Sequence, residues 1–327
     1  MHTADRVTLA RLPSGVPVET TVHRYGSGDG PTCYVQAAQH GREINGTECC
    51  RRLHERLTAG AAANDPLAAD LDGTLIVVPV ADPLTFDRVS YTTPEPLDSA
   101  APNMNRCWPG DSEGTIHERM AARLWAEASD ADAIVDLHTG SPEMQTHTVY
   151  LRGDDGSRRL AEAFGTDLLL AEAAGDDADT EWDERNFGGK LRVAATREGI
   201  PSITPELGSN KQLDSDAIQT GLDGLLGVFR QLGLLAGDPE PWDGVRAHNH
   251  LGRVRAADSG LFVPDADAEL GAEAAAGETF GTVYDPATYE PLQTVTADRD
   301  GVVYSIAREA TVTAGQTLVG IAERLDE

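Results

Sequence analysis

Apolar runs of strand length alternate along most of the chain with longer stretches of helical periodicity. Five runs have the length and composition of buried strands: 32–39, 73–81, 133–138, 146–152 and 200–207. Between them, apolar residues recur at helical spacing in 46–60, 114–129, 157–173 and 215–235. Strands that alternate with helices form a parallel or mixed sheet with helices on its faces. We therefore predict an α/β fold with a mixed central sheet flanked by helices.

The pattern changes near residues 235–247, where Pro, Gly and Asp are concentrated. Short segments rich in Gly, Val and Thr follow, so we expect a first domain over 1–240 and a small sandwich- or barrel-like β domain over 241–327. Residues 301–323 are similar to a lipoyl- or biotinyl-type β-sandwich, but they contain no lysine to carry such a group. We expect a structural or site-capping role for this domain.

The composition is that of a globular protein. The chain has 327 residues, 40% of them hydrophobic, which is enough for a sizeable core. It has no apolar run of about 18 residues and no signal-peptide pattern, so we expect a cytoplasmic protein. The four cysteines have neither CxxC spacing nor the density of a disulfide scaffold, and we expect reduced, mostly buried thiols.

The charge balance is strongly acidic. The formal net charge is −28, and Lys190 and Lys211 are the only lysines. Nucleic acids and anionic membrane surfaces carry the same sign, so we expect neither as a partner; the partner we expect is a small-molecule substrate. Scarce lysine with abundant Asp and Glu also resembles halophilic proteins from salt-filled cytosols, where ionic strength screens self-repulsion. A homo-oligomer is compatible with all of this.

Four short motifs follow predicted strands or lie in the loops after them. They are HGRE with His40 and Glu43, PNMNRCWPG with Asn105 and Arg106, DLHTG with His138, and TPELG with Glu206. In an α/β sheet these places converge on one crevice. A single histidine or glutamate at a strand end is usually structural, whereas the four motifs together predict one site.

The residue types of this predicted site suit a catalytic zinc ion. Zinc binds imidazole nitrogen and carboxylate oxygen, and a catalytic site uses three protein ligands plus an open position for water. His40, Glu43 and His138 provide such a set. Glu206 is then our candidate for the carboxylate that moves the proton to the leaving amine. The guanidinium of Arg106 and the amide of Asn105 suit a substrate carboxylate.

The order HGREING, NMNRCWPG, DLHTG, TPELG resembles the succinylglutamate desuccinylase/aspartoacylase family of the zinc carboxypeptidase superfamily, over roughly residues 30–235. A trailing β domain is typical of its larger branch. The resemblance implies a zinc carboxypeptidase-like fold and one zinc per chain on His40, Glu43 and His138. It also implies catalysis by Glu206 and binding of a substrate carboxylate by Asn105 and Arg106. The implied reaction is hydrolysis of the amide bond of an N-acyl amino acid.

The sequence departs from the family pattern in two places. Family members have an aspartate that supports a ligand histidine where this chain has Asn103, and Asp136 is the acidic group that remains for this purpose. Characterised members also carry an arginine before a tyrosine to polarise the scissile carbonyl, and this chain has Ser90 before Tyr91. Arg88 is a candidate for that role, and Arg192 is a further candidate for substrate contact.

The remaining histidines have simpler interpretations. His54 and His117 lie on predicted helices beside charged residues and are expected at the surface. His248 and His250 have ligand-like spacing without an acidic partner motif, and His147 is near the site by sequence only.

Two other functions stay open at this point. A metallocarboxypeptidase would use the same metal chemistry on an open groove. A non-catalytic small-molecule-binding protein could keep the scaffold, although it would not need the general base Glu206.

Overall fold

The computed structural model describes residues 1–26, 28–58, 71–94, 97–140, 143–173, 184, 186–249, 253–309 and 311–325. Its first part contains the elements β1 (His2–Arg11), β2 (Pro17–Gly26), β3 (Thr32–Ala37), α1 (Asn45–Thr58), β4 (Thr74–Val78), α2 (Pro83–Phe86), α3 (Ile116–Ala128), β5 (Ala133–Gly140), β6 (Glu143–Met144), β7 (His147–Leu151), α4 (Asp155–Phe164), β8 (Leu168–Glu172), α5 (Leu191–Arg197), β9 (Ser202–Ser209), α6 (Ser215–Leu232) and β10 (Val245–His248). Short 3₁₀ turns lie at Met104–Arg106 and Phe187–Gly189.

A nine-stranded sheet organises this part, with the strand order β1-β2-β4-β3-β5-β9-β7-β8-β10. The central strands β4, β3, β5 and β9 are parallel neighbours, whereas β2 pairs β4 and β7 pairs β9 in antiparallel fashion. The sheet is therefore mixed, which confirms the prediction. The carboxyl ends of β3, β5 and β9 meet at one edge.

Helices cover both faces of the sheet, because the buried central strands alternate apolar side chains between two cores. In β3, Val35 belongs to the core under α1, α4 and α6, while Tyr34 belongs to the core under α3 and α5. Leu53 and Phe229 fill the first core, and Met120 contributes to the second. Among the described residues, no helix is both long and apolar enough to cross a bilayer.

One predicted helix is wrong in its second half. The periodic segment 157–173 divides into α4, which ends before Gly165, and the buried strand β8. Gly165 adopts a left-handed conformation with φ of 78° and its N–H caps the carbonyl of Ala161. The LLLA run after it satisfies helical and strand patterns equally, and the glycine decides between them. The edge strand β1 and its neighbour β2 were not predicted.

The C-terminal part consists of short antiparallel strands: β11 (Val254–Arg255), β12 (Gly260–Pro264), β13 (Glu273–Ala274), β14 (Thr279–Tyr284), β15 (Pro291–Thr296), β16 (Gly301–Ile306), β17 (Thr311–Val312) and β18 (Thr317–Ala322). They form two sheets, in the orders β11-β18-β16-β13 and β15-β14-β12-β17, around a separate apolar core. The fold class with additional C-terminal β structure is thus as predicted.

The two parts are connected by hydrogen-bonded strands. The two-residue strand β6 of the first part pairs with β16, and Ala247 of β10 forms a bridge with Arg324. Strand β10 itself lies parallel to β8 in the nine-stranded sheet. The division into domains 1–240 and 241–327 stays a proposal, and by sheet membership residues 245–248 belong with the first part.

Candidate active site

The three predicted metal ligands lie together at the carboxyl edge of the central sheet. His40 and Glu43 occupy the loop between β3 and α1, and His138 lies on β5, the neighbour of β3. Ala38, with φ of 49°, turns the chain out of β3. Gly41 is required in this loop, because a Cβ there would lie 2.0 Å from the backbone carbon of Thr85.

The donor atoms of this set face one another in a buried space. Nδ1 of His40 lies 2.9 Å from Oε1 of Glu43, and Nδ1 of His138 lies 2.8 Å from Oε2 of the same carboxylate. The three residues are only 3–4% exposed, and their donor atoms all lie within 4.8 Å of one another. One point in space is therefore accessible to both imidazoles and the carboxylate.

The far side of each imidazole faces an oxygen acceptor. Nε2 of His40 lies 3.1 Å from Oδ1 of Asn103, and that same oxygen accepts a hydrogen bond from the backbone N–H of Asn105. Nε2 of His138 lies 2.9 Å from Oδ2 of Asp136. With the proton of each ring on Nε2, the lone pair of Nδ1 points toward Glu43, as a metal ligand requires.

The charges around this point favour a cation. Burial by itself lowers the pKa of His138, but Asp136 and Glu43 hold it well above its usual value. Burial raises the pKa of Glu43, but the two histidines outweigh this effect and hold it far below its usual value. The pocket therefore stabilises positive charge at the point where the three donors meet. Two imidazole nitrogens and one carboxylate fit a catalytic zinc ion.

Glu206 lies on β9, directly opposite His138 in the parallel pairing of β5 and β9. Its half-buried side chain lines the same cavity as the three donors. Desolvation raises the pKa of Glu206 to about 7, with Glu43 and Asp136 acting in the same direction and His138 and Lys190 opposing them. A carboxyl group with such a pKa can both accept and donate a proton near neutrality.

The cavity measures about 280 Å³, which suits a ligand of amino-acid size. Its walls come from both parts of the chain. The three donor residues and Glu206 share the cavity with Arg253 and Tyr304 from the C-terminal part and with Asn249 before it. The site-capping role expected for the β domain stays a proposal.

The cavity is rich in positive side chains although the chain is acidic. The arginines and lysine that line it within the described part of the chain are Arg42, Arg106, Lys190, Arg192 and Arg253. The acidic side chains that line it are Glu43 and Glu206. Such an excess of cations attracts an anionic ligand.

Asn105 and Arg106 enter the cavity from the 3₁₀ turn at Met104–Arg106. Oδ1 of Asn105 accepts a hydrogen bond of 3.3 Å from the backbone N–H of Leu191, which directs the amide nitrogen toward His138, 3.5 Å away. The guanidinium of Arg106 stacks over the ring of Phe187, with 4.5 Å between its central carbon and the ring centroid. Both side chains are therefore held in fixed orientations.

The other two arginines proposed from the sequence, Arg88 and Arg192, differ in position. Arg192 lines the cavity, but it is buried against Glu172, with which it forms an ion pair, and its Nη1 donates to Thr204 at 2.9 Å. Burial lowers its pKa to about 10. Arg88 lies exposed after α2 and does not line the cavity, so it does not take the place we expected.

Arg42 reaches the cavity instead of Arg88. Its guanidinium carbon lies 4.8 Å from the centroid of the Tyr91 ring, and that ring lies 4.0 Å from the ring of His40. Arg42 is thus stacked on Tyr91 beside a predicted metal ligand.

The other histidines divide between cavity, core and surface. His147 lines the cavity wall, and burial lowers its pKa to about 4. The expectation of an exposed His117 is wrong, because its ring is fully buried between Asp82, Thr93 and the carbonyl of Ala101. His54 is half-buried, and His248 lies on β10 outside the cavity lining. His250 lies outside the described residues.

Comparison with known proteins identifies the family. The model of the succinylglutamate desuccinylase/aspartoacylase catalytic domain matches residues 29–232. The chain belongs to this family. This match covers every residue that lines the cavity except Asn249, Arg253 and Tyr304.

One curated relative of the chain is the N-alpha-acetyl-L-2,4-diaminobutyric acid deacetylase of Halomonas elongata. It is 26% identical over 335 residues, which cover 94% of this chain and 85% of the relative. The relatives of this chain thus include an enzyme named for cleavage of an amide bond. The aligned region extends into the C-terminal part of this chain.

Solved structures of family members have the same architecture. A succinylglutamate desuccinylase/aspartoacylase from Rhodobacter sphaeroides superposes with a TM-score of 0.81 at 25% identity, covering 99% of this chain and 96% of the other. The product-bound ectoine utilization protein EutE (DoeB) from Ruegeria pomeroyi gives 0.79 at 25% identity, covering 98% and 94%. A metallo-carboxypeptidase from Burkholderia cenocepacia shares the fold, with a TM-score of 0.52 at 19% identity over 69% of this chain and 63% of its own.

Several residues that line the cavity were not predicted from the sequence. Arg42 lies inside the HGRE motif, and Lys190 is one of only two lysines in the chain, so a signal existed for both. Tyr304 and Arg253 lie at least 47 residues beyond Glu206, and no local pattern marks them.

Proposed function

We propose that the protein is a zinc-dependent amidohydrolase that cleaves the amide bond of a small N-acyl amino acid. The observation that carries this proposal is the meeting of two buried imidazoles and one carboxylate beside Glu206. His40, Glu43 and His138 would hold one zinc ion per chain. When bound, zinc supplies a Lewis acid that polarises the scissile carbonyl and makes water more acidic.

Glu206 carries the proton in this scheme. Its carboxylate accepts a proton from the attacking water and then donates it to the leaving nitrogen, so that the amine departs neutral. A pKa near 7 suits both transfers, because neither protonation state is strongly favoured. Asp136 and Asn103 keep the two imidazoles oriented by accepting their Nε2 protons.

The cationic wall recognises the substrate. Arg106 offers a planar pair of donors for a carboxylate, and Asn105 adds an amide N–H next to His138. Arg42, stacked on Tyr91, is placed to donate to the scissile carbonyl oxygen, the role expected from the sequence for Arg88. The name of the Halomonas elongata relative, an N-acetyl amino acid deacetylase, supports a substrate of this class.

A metallocarboxypeptidase fits the cavity less well. Tyr304 and Arg253 add to the cavity wall, and the volume of about 280 Å³ suits a single acylated amino acid. A non-catalytic binding protein would not need a raised pKa at Glu206.

The test combines zinc content with turnover. We expect about one tightly bound zinc at the active site, lost in His138→Ala, because removal of one of three protein ligands greatly weakens binding. Release of free amine is measured across N-acetyl and N-succinyl amino acids and blocked dipeptides. Turnover of peptides alone would favour a carboxypeptidase, and turnover of none would favour a binding protein.

The Glu206→Gln variant tests the mechanism itself. We expect unchanged zinc content and melting temperature but a kcat lower by roughly 10²–10⁴-fold, the contribution of a positioned general acid–base. A stable, zinc-loaded variant with near-normal kcat would show that Glu206 is only structural.

A further inference from the structure

Three histidines meet on the surface of the sheet where its N-terminal edge packs beside a helix. His2 lies on β1, His23 on β2 and His54 on α1, and none of them lines the active-site cavity. In the pairing of β1 and β2, His2 lies opposite Tyr25 and therefore diagonal to His23. The chain has nine histidines, and three of them are gathered here from separate elements.

The imidazole nitrogens lie at distances that suit one metal ion. Nε2 of His2 is 3.1 Å from Nδ1 of His23, and donor atoms of all three residues lie within 4.8 Å of one another. Two nitrogens bound to one tetrahedral zinc at about 2.0–2.1 Å are about 3.3 Å apart. Small side-chain rotations of His54 are enough to complete such a set, because its ring centroid is 5.0 Å from that of His2.

Tyr25 holds two of the three rings. Its hydroxyl lies 2.9 Å from Nδ1 of His54, and its ring stacks on His2 with a centroid distance of 4.6 Å. A proton on Nδ1 of His54, donated to the Tyr25 oxygen, leaves the lone pair on Nε2 for a ligand. The hydroxyl of the buried Tyr25 thus orients the ring of His54 by accepting its proton, as the carboxylate of Asp136 does for His138 in the active site.

We infer that His2, His23 and His54 form a second metal site, which binds a transition-metal ion of the Zn²⁺ type and joins the edge strand β1 to β2 and α1. Three imidazoles without a carboxylate favour Zn²⁺, Cu²⁺ or Ni²⁺ over Mg²⁺ or Ca²⁺, which require oxygen ligands. β1 is an edge strand of the nine-stranded sheet, and an ion that binds only the folded arrangement holds it against β2.

The experiment counts zinc in the absence of the active-site ion. Full-length protein without a polyhistidine tag, carrying His138→Ala, is equilibrated with ZnCl₂ and its bound zinc is measured after dialysis. We expect about one zinc per chain. Adding His23→Gln or His54→Gln lowers the affinity by more than about tenfold, and Tyr25→Phe lowers it to a smaller extent. His248→Gln removes an imidazole from β10 and serves as the matched control.

Two further measurements make the result decisive. Without zinc, the melting temperatures of the His23→Gln and His54→Gln proteins should match that of the parent. A match shows that weaker zinc binding in these variants does not result from unfolding. Hydrogen exchange of the β1 amides, residues 2–11, should slow on addition of zinc in the parent and not in His23→Gln. Undiminished binding in His23→Gln, or zinc binding without slower exchange in β1, would overturn the inference. Neither readout depends on deacylase activity.

Discussion

Oδ1 of Asn103 lies between two donors: it is 3.1 Å from Nε2 of His40 and accepts a hydrogen bond of 2.9 Å from the backbone N–H of Asn105. One amide oxygen thereby fixes the ring of a predicted metal ligand and the turn that presents a predicted substrate-binding residue. A carboxylate in its place would perform both functions and add negative charge.

That arrangement predicts opposite effects for two substitutions. Asn103→Ala removes the acceptor and should weaken zinc binding by about 10–100-fold. Asn103→Asp keeps an acceptor oxygen and increases the basicity of His40, so zinc binding should be at least as tight as in the parent. Competition with a chelator measures both affinities. Equal affinity of the alanine variant and the parent would show that Asn103 does not orient His40.

Arg106 should discriminate substrates by their carboxylate. Arg106→Ala is expected to raise KM strongly for an N-acyl amino acid and little for the corresponding amino acid amide, because only the first pairs with the guanidinium. Arg106→Lys should restore part of the loss, since a point charge lacks the paired geometry. Steady-state kinetics on the two matched substrates measures this. Equal losses on both would contradict a carboxylate-binding role.

Arg42 and Arg88 form a matched pair of arginines, one in the cavity and one exposed. Arg42→Gln should lower kcat/KM by roughly 10²–10³-fold, the usual effect of removing one donor to the developing oxyanion. Arg88→Gln should leave kcat/KM unchanged within about twofold, as expected for a surface position. Zinc content serves as a control for folding of the site. The reverse order of effects would return the role to Arg88.

The buried His117 should make stability depend on pH. Burial lowers its pKa, but the hydrogen bond and charge of Asp82, the Ala101 carbonyl and the charge of Asp98 raise it overall. Its folded-state pKa thus exceeds the unfolded value of about 6.5. The imidazolium therefore stabilises the folded protein fully below about pH 6.5, and this contribution disappears as the pH rises through the folded-state pKa.

Denaturant unfolding from pH 6 upward at constant high salt checks this dependence. The stability difference between the parent and His117→Gln should decrease as the pH rises, whereas His248→Gln should show no such trend. Constant salt is needed because the net charge of −28 makes stability sensitive to ionic strength. A difference independent of pH would mean that the pKa of His117 is the same in the folded and the unfolded protein.

The sequence was sufficient to predict those site residues that lie at the ends of apolar, strand-like runs. His138 and Glu206 end apolar runs, and strands β5 and β9 place them side by side. It was insufficient where a site residue depends on the orientation of a loop side chain or on contacts with a distant part of the chain. Arg42 and Arg88 differ in which way a loop side chain points, and Tyr304 reaches the cavity only through the packing of a separate sheet. The LLLA run of β8 carried no local sign of a strand except the glycine before it.

The two-residue strand β6 has a consequence for dissection of the protein. It leaves the first part of the chain next to β5 and completes the sheet of β16, where Arg308 also donates to Glu143 at 2.8 Å. Residues beyond 253 are thus integral to the wall around the reacting groups. A version shortened to the family catalytic domain would open the cavity to water at Tyr304 and expose the apolar side of β6. Such a fragment would lack Arg253 and Tyr304 from the cavity wall, so we expect it to bind a small ligand more weakly than the full chain does.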